Sequence, residues 1–73
     1  MKEKVLKVLQ GINDSIIDGV NLMDEGLIDS FELVEIITEL EIAFDIEIAS
    51  EDIVDENFET VDAIVSLVEK KQK

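Results

Sequence analysis

Apolar residues recur at helical spacing in three stretches of the chain and lose that spacing between them. Val5, Leu6, Val8, Leu9 and Ile12 follow an i, i+3, i+4, i+7 pattern, which predicts an amphipathic helix over Lys2 to Ile12, ended by Gly11, Asn13 and Asp14. Near the other terminus Val61, Ile64, Val65 and Val68 make a clean stripe. Thr60 stands before it as an N-cap, and Lys70 and Lys71 in its last turn complement the negative end of the helix dipole.

The middle helix is predicted from Ser30 to about Phe44 and has more apolar surface than one core-facing stripe needs. On a wheel turning about 100° per residue, Leu33, Ile36, Ile37, Leu40 and Phe44 cluster as the core face. A second band collects Ser30, Phe31, Val34, Glu35, Thr38, Glu41 and Ile42. Phe31, Val34 and Ile42 edged by Glu35 and Glu41 have the layout of a docking surface, with an apolar centre and a charged rim.

From Ser15 to Asp29 periodicity fades and Gly19 and Gly26 punctuate the chain, while Ile16, Ile17, Val20, Leu22, Met23, Leu27 and Ile28 supply apolar anchors. A long loop packed onto the helices is expected; loops beyond about 12–15 residues in compact domains are usually functional or disordered, and this apolar content opposes disorder. After the middle helix, Asp45 to Ile48 reads as a short extended link. Ser50 is expected to cap a brief helix through about Asp55, with Glu51 and Asp52 in its first turn, and Asn57, Phe58 and Glu59 to form a connection. The fold class is therefore all-α, with three longer helices and one short third helix, in a single domain over residues 1–73.

Composition removes several chemistries. The chain has neither cysteine nor histidine, so thiolate and redox chemistry, Cys-based zinc binding and the usual general base near neutral pH are excluded, and catalysis by the protein itself is not expected. Formal net charge is −13, and all six lysines (Lys2, Lys4, Lys7, Lys70, Lys71 and Lys73) lie near the two ends. Such a surface repels nucleic acid and anionic lipid and steers basic protein partners toward it. No apolar run is long enough to span a bilayer and no signal-peptide pattern opens the chain, so a cytoplasmic monomer is expected.

The residues with most chemical promise lie where the loop turns into the middle helix. Asp29 is a good N-cap, and Glu32 stands where a capping box would reach back to it. Ser30 then becomes the first helical residue, with its hydroxyl unneeded for capping and beside N–H groups that have no partner inside the helix. The helix dipole favours a phosphate there by about 0.3–1 kcal/mol. Asp24 and Glu35 have the spacing of the first and twelfth residues of an EF-hand loop. However, Gly26 and Ile28 stand where oxygen ligands are required, and Asp29 where the sharp turn wants glycine, so that calcium motif fails.

Glu25-Gly26-Leu27-Ile28-Asp29-Ser30-Phe31 resembles the carrier motif in which 4′-phosphopantetheine is esterified to the serine after an aspartate. Val34 to Glu41 resembles the recognition helix of acyl carrier proteins, Phe44 to Ile48 its exit, and Asn57 to Ile64 the approach to the last helix. The similarity covers nearly the whole chain in order. The Gly-Leu-Ile-Asp-Ser-Phe form is more similar to D-alanyl and other discrete carriers than to the fatty-acid type. The tryptophan usual before the last helix of D-alanyl carriers is absent, with Phe58 nearby, and Ile42 replaces an acidic residue common in the recognition helix.

The resemblance implies an acyl-carrier-like four-helix bundle and a covalent 4′-phosphopantetheine on Ser30, with Asp29 helping to engage the phosphopantetheinyl transferase. Phe31, Val34, Glu35, Thr38, Glu41 and Ile42 would meet an acyl- or aminoacyl-activating ligase, or an acyltransferase, with a basic docking surface. The protein would hold acyl or aminoacyl thioesters for partner enzymes. Two alternatives remain: a D-alanyl carrier for cell-envelope modification, and an acidic helical adaptor in which Ser30 is only a cap. Val5, Leu9, Leu40 and Val65 are expected to pack the core rather than line a cargo cavity.

Overall fold

A computed structural model describes residues 1–72; Lys73, the last of the six lysines, lies outside the described residues. Its elements are α1 (Lys2–Ile12), α2 (Ser30–Phe44), a 3₁₀ turn (Ser50–Asp52), α3 (Asp55–Phe58) and α4 (Val61–Lys71), with no strand among the described residues. The three longer helices fall where their apolar spacing placed them. Val5 and Leu9 of α1, Ile36 and Leu40 of α2, and Val61, Ile64, Leu67 and Val68 of α4 point into one shared core. Phe58, at the end of α3, is the largest fully buried side chain and plugs the same core. Val5, Leu9 and Leu40 are fully enclosed and Val65 packs against the cluster from its edge, so these four residues are core packing.

The loop between α1 and α2 is pinned to the bundle at both ends and in the middle. Asn13 ends α1 and donates its side-chain amide to the Leu27 carbonyl (2.6 Å), while Gln10 donates to the Ile16 carbonyl (2.9 Å). Asn21 accepts the amides of Met23 and Asp24 in an Asx turn, and the Leu22 amide donates across to the Glu59 carbonyl at 2.6 Å. Gly26 has φ +68°, a left-handed turn that costs glycine little and brings the chain round to the start of α2. Ile16, Leu22 and Ile28 are buried as expected. Ile17 is not an anchor: it is 51% exposed, because the turn at Asp18 and Gly19 leaves only one of the two adjacent isoleucines facing the helices.

The region after α2 departs from the sequence reading. Asp45 ends the helix in the left-handed region, which aspartate tolerates, and the Glu41 carboxylate accepts the Ile48 amide at 2.9 Å, tying the extended link back to α2. Ser50 does not cap a helix through Asp55. It is the first residue of a single 3₁₀ turn, whose capping acceptor comes from within: the Asp52 carboxylate takes the Ala49 amide at 3.0 Å. The β-branched pair Ile53 and Val54 then leaves helical geometry, with Val54 fully extended, and a new helical turn begins at Asp55. Asn57 and Phe58 belong to α3 rather than to a connection, because Phe58 gains more by burial than the segment loses by making one short turn.

Candidate functional site

Asp29 is extended backbone and caps α2, its carboxylate accepting the Glu32 amide at 2.9 Å. The capping box is only half made, since no described hydrogen bond returns from the Glu32 side chain to the Asp29 amide. Ser30 is exposed as the first residue of a fifteen-residue helix, and none of the described hydrogen bonds uses its hydroxyl. The N–H groups of Ser30 and Phe31 come ahead of the first intrahelical bond, which runs from the Leu33 amide to the Asp29 carbonyl.

Beside the serine lies an open depression of about 220 Å³, lined by Met23, Ile28 and Leu33 with Asp29, Ser30 and Asp55. Loop, α2 and α3 each supply a wall. Asp55 was not legible as a neighbour of Ser30: the two are far apart in sequence, and only the closure of α3 onto the core through Phe58 brings them together.

Along α2 from the serine runs the second apolar band. Phe31 is 84% exposed, Val34 63% and Ile42 71%, so neither the long loop nor α3 covers them. Thr38 is exposed and donates its hydroxyl to the Val34 carbonyl (3.0 Å), while Glu35 is exposed on the rim facing α1. Glu41 differs from the free rim acid expected of it: it is half-buried, and one of its oxygens is committed to the Ile48 amide.

Three of the lysines are engaged with other groups, while Lys7 shares a depression with Glu35 and Glu39. Lys2 bridges Asp18 (2.6 Å) and Asp62 (3.0 Å), Lys4 stacks over Phe44 with its ammonium 4.9 Å from the ring centre, and Lys71 pairs with Asp52. The Lys2 ammonium is held above the usual lysine range, chiefly by its hydrogen bond to Asp18 and then by that to Asp62. Among the described residues no three carboxylates converge into a metal site.

The site therefore offers an exposed hydroxyl at the positive end of a long helix, the N–H groups of that helix's first turn and a shallow recess alongside. These features fit a phosphodiester and the first atoms of a tether. The family of phosphopantetheine attachment sites matches residues 2–68 of this chain. The chain belongs to the acyl carrier protein family. An acyl carrier protein homolog of Mycoplasmopsis pulmonis (strain UAB CTIP) is 37% identical over 73 residues, covering 100% of this chain and 97% of that protein. No solved structure matches.

Carriers of this family bear a covalent 4′-phosphopantetheine and are not catalysts; the absence of histidine and cysteine suits such a role. The four-helix arrangement, with a short third helix, is consistent with the small helical fold of acyl carriers. No helix among the described residues is long and apolar enough to cross a membrane.

Proposed function

We propose that Ser30 carries the 4′-phosphopantetheine arm and that the chain, as a single carrier domain over residues 1–73, presents an acyl or aminoacyl thioester to partner enzymes in the cytoplasm. The observation that supports this most is the pairing of the family match with one exposed, hydrogen-bond-free serine at the start of α2. In the modification the Ser30 oxygen bonds to the pantetheine-side phosphorus of coenzyme A, the pyrophosphate linkage breaks, the hydroxyl proton leaves to a base, and adenosine 3′,5′-bisphosphate departs.

In this reading Asp29 has two duties, holding the first turn of α2 and offering its remaining carboxylate capacity to the modifying transferase. Phe31, Val34, Thr38 and Ile42 form the docking band, Glu35 supplies a free acidic rim, and Glu41 contributes the oxygen that Ile48 leaves open. A weak, charge-steered contact suits a carrier that must leave each enzyme quickly, while the tether keeps its cargo at high effective concentration during each visit.

The packed core favours a short cargo over a long chain folded into the bundle, because Val5, Leu9 and Leu40 would have to be displaced. That favours a small acyl or aminoacyl group, including D-alanine, over a long fatty chain. The test is loading of the modified protein by an amino-acid-activating ligase and, separately, by a fatty-acyl ligase. Efficient charging by the first and poor charging by the second supports a short cargo; the reverse removes it.

A further inference from the structure

We propose that Lys71, in the last turn of α4, is a positioning residue for the Ser30 site, acting through Asp52 on the segment that walls the depression beside the serine. This rests on the reading that Ser30 is the modified residue.

Asp52 is the one charged residue buried among the described residues, 8% exposed. Its Oδ2 meets the Lys71 ammonium and accepts the Ala49 amide at 3.0 Å. Its carbonyl accepts the Val54 amide (3.0 Å) and the Asn57 side-chain amide (2.7 Å). One residue thus joins the 3₁₀ turn, the start of α3 and the end of α4.

A four-residue helix cannot hold itself in water and takes its place from what anchors it. For α3 those anchors are Phe58 at one end, sealed in the core, and the Asp52 hub at the other. Between them lies Asp55, which shares the depression with Ser30. The ammonium that completes the hub comes from Lys71, whose side chain is largely covered, and Lys70 acts on the same carboxylate only at longer range.

Removing one member of a mostly buried ion pair leaves the other uncompensated, so without Lys71 the carboxylate is drawn toward water and carries the start of α3 with it. A transferase that docks on the Ser30 face then has to order that wall as it binds, which weakens docking and leaves the chemical step alone.

The test compares the full chain with Lys71→Met, which keeps an unbranched apolar side chain, and Lys71→Arg, which keeps the charge. Two readouts are needed: amide hydrogen exchange, and kinetics of modification by a phosphopantetheinyl transferase with coenzyme A and magnesium. In Lys71→Met the hydrogen-bonded amides of Ile53, Val54 and Asn57 are expected to exchange about tenfold faster or more, with those of α2 unchanged. The transferase KM for the chain is expected to rise by a similar factor, with kcat within about twofold. Lys71→Arg restores both. Should Lys71→Met fail to fold, Asn57→Ala removes only the bond to the Asp52 carbonyl and is expected to move the same two readouts less.

Unchanged exchange at the Ile53, Val54 and Asn57 amides, uniform acceleration across all helices, or a loosened segment with unaltered KM each overturn the proposal. A parent chain that no transferase modifies marks instead the failure of the Ser30 reading, and this proposal falls with it.

Discussion

The Asp29 carboxylate accepts the Glu32 amide at 2.9 Å, and that single bond separates the duties of two adjacent residues. Asp29 holds the first turn of α2, so the Ser30 hydroxyl is left free. Asp29→Ala is expected to cost about 1 kcal/mol of stability, whereas Ser30→Ala is expected to change it by less than about 0.5 kcal/mol. Denaturant unfolding of the two variants checks this. A Ser30→Ala penalty as large as that of Asp29→Ala means that the serine is itself a capping residue.

Phe31 and Val34 are apolar yet face solvent, while Phe58 is apolar and sealed, so the same truncation should act in opposite ways. Phe31→Ala and Val34→Ala are expected to leave stability within about 0.5 kcal/mol and to raise the KM of partner enzymes several-fold. Phe58→Ala is expected to cost about 3–5 kcal/mol, a large share of the roughly 4–11 kcal/mol available to a chain of this size, and to leave much of it unfolded. Circular dichroism melts beside loading kinetics separate the two effects.

How far the sequence discloses this protein depends on the length of each element. Over eleven to fifteen residues the apolar spacing repeats often enough to place α1, α2 and α4, and the surplus apolar band of α2 is exposed as read. Thr60 caps α4 as expected, its hydroxyl oxygen accepting the Ala63 amide at 3.0 Å. In the stretch from Ser50 to Glu59 no pattern repeats even once. There the outcome is decided by burial of Phe58 and by the contact of Asp52 with Lys71, nineteen positions away, and neither is visible in local spacing. The place of Ser30 at the start of α2 is legible because its signal is local, whereas the approach of Asp55 to it is not.

Charge should act with opposite sign on the fold and on its partners. With a net charge of −13, self-repulsion destabilises the compact chain. Raising ionic strength from about 0.01 to 0.15 M shortens the screening length from about 30 to 8 Å. The melting temperature is expected to rise and association with basic partner enzymes to slow. Melting and stopped-flow association across one salt series test both; a salt-independent association rate contradicts steering by the acidic face.

The Asp52 carboxyl is held below the usual carboxylate range, first by its hydrogen bond from Lys71 and with help from the Ala49 amide, against the cost of burial. A lowered folded-state pKa gives stability that is complete above the ordinary carboxylate pKa, about 4, and lost as pH falls through the lowered value. Lys2 has the opposite sign: its contribution is complete below the ordinary lysine value of 10.5 and lost as pH rises through its raised one. In stability profiles against pH, Lys71→Met is expected to be less stable than the parent above about pH 4 and to converge with it as acid protonates Asp52. Lys2→Met is expected to be less stable up to the lysine range and to converge with the parent as pH rises beyond it.

The chain has four serines, Ser15, Ser30, Ser50 and Ser66, all exposed, and only Ser30 opens a long helix. The most direct test is tandem mass spectrometry of the chain after incubation with coenzyme A, magnesium and a broad-specificity phosphopantetheinyl transferase, with Ser30→Ala in parallel. One phosphopantetheine on the peptide containing Ser30, and none on the variant, is the predicted result. An arm on Ser15, Ser50 or Ser66, or a folded parent chain that several transferases leave unmodified, would contradict it.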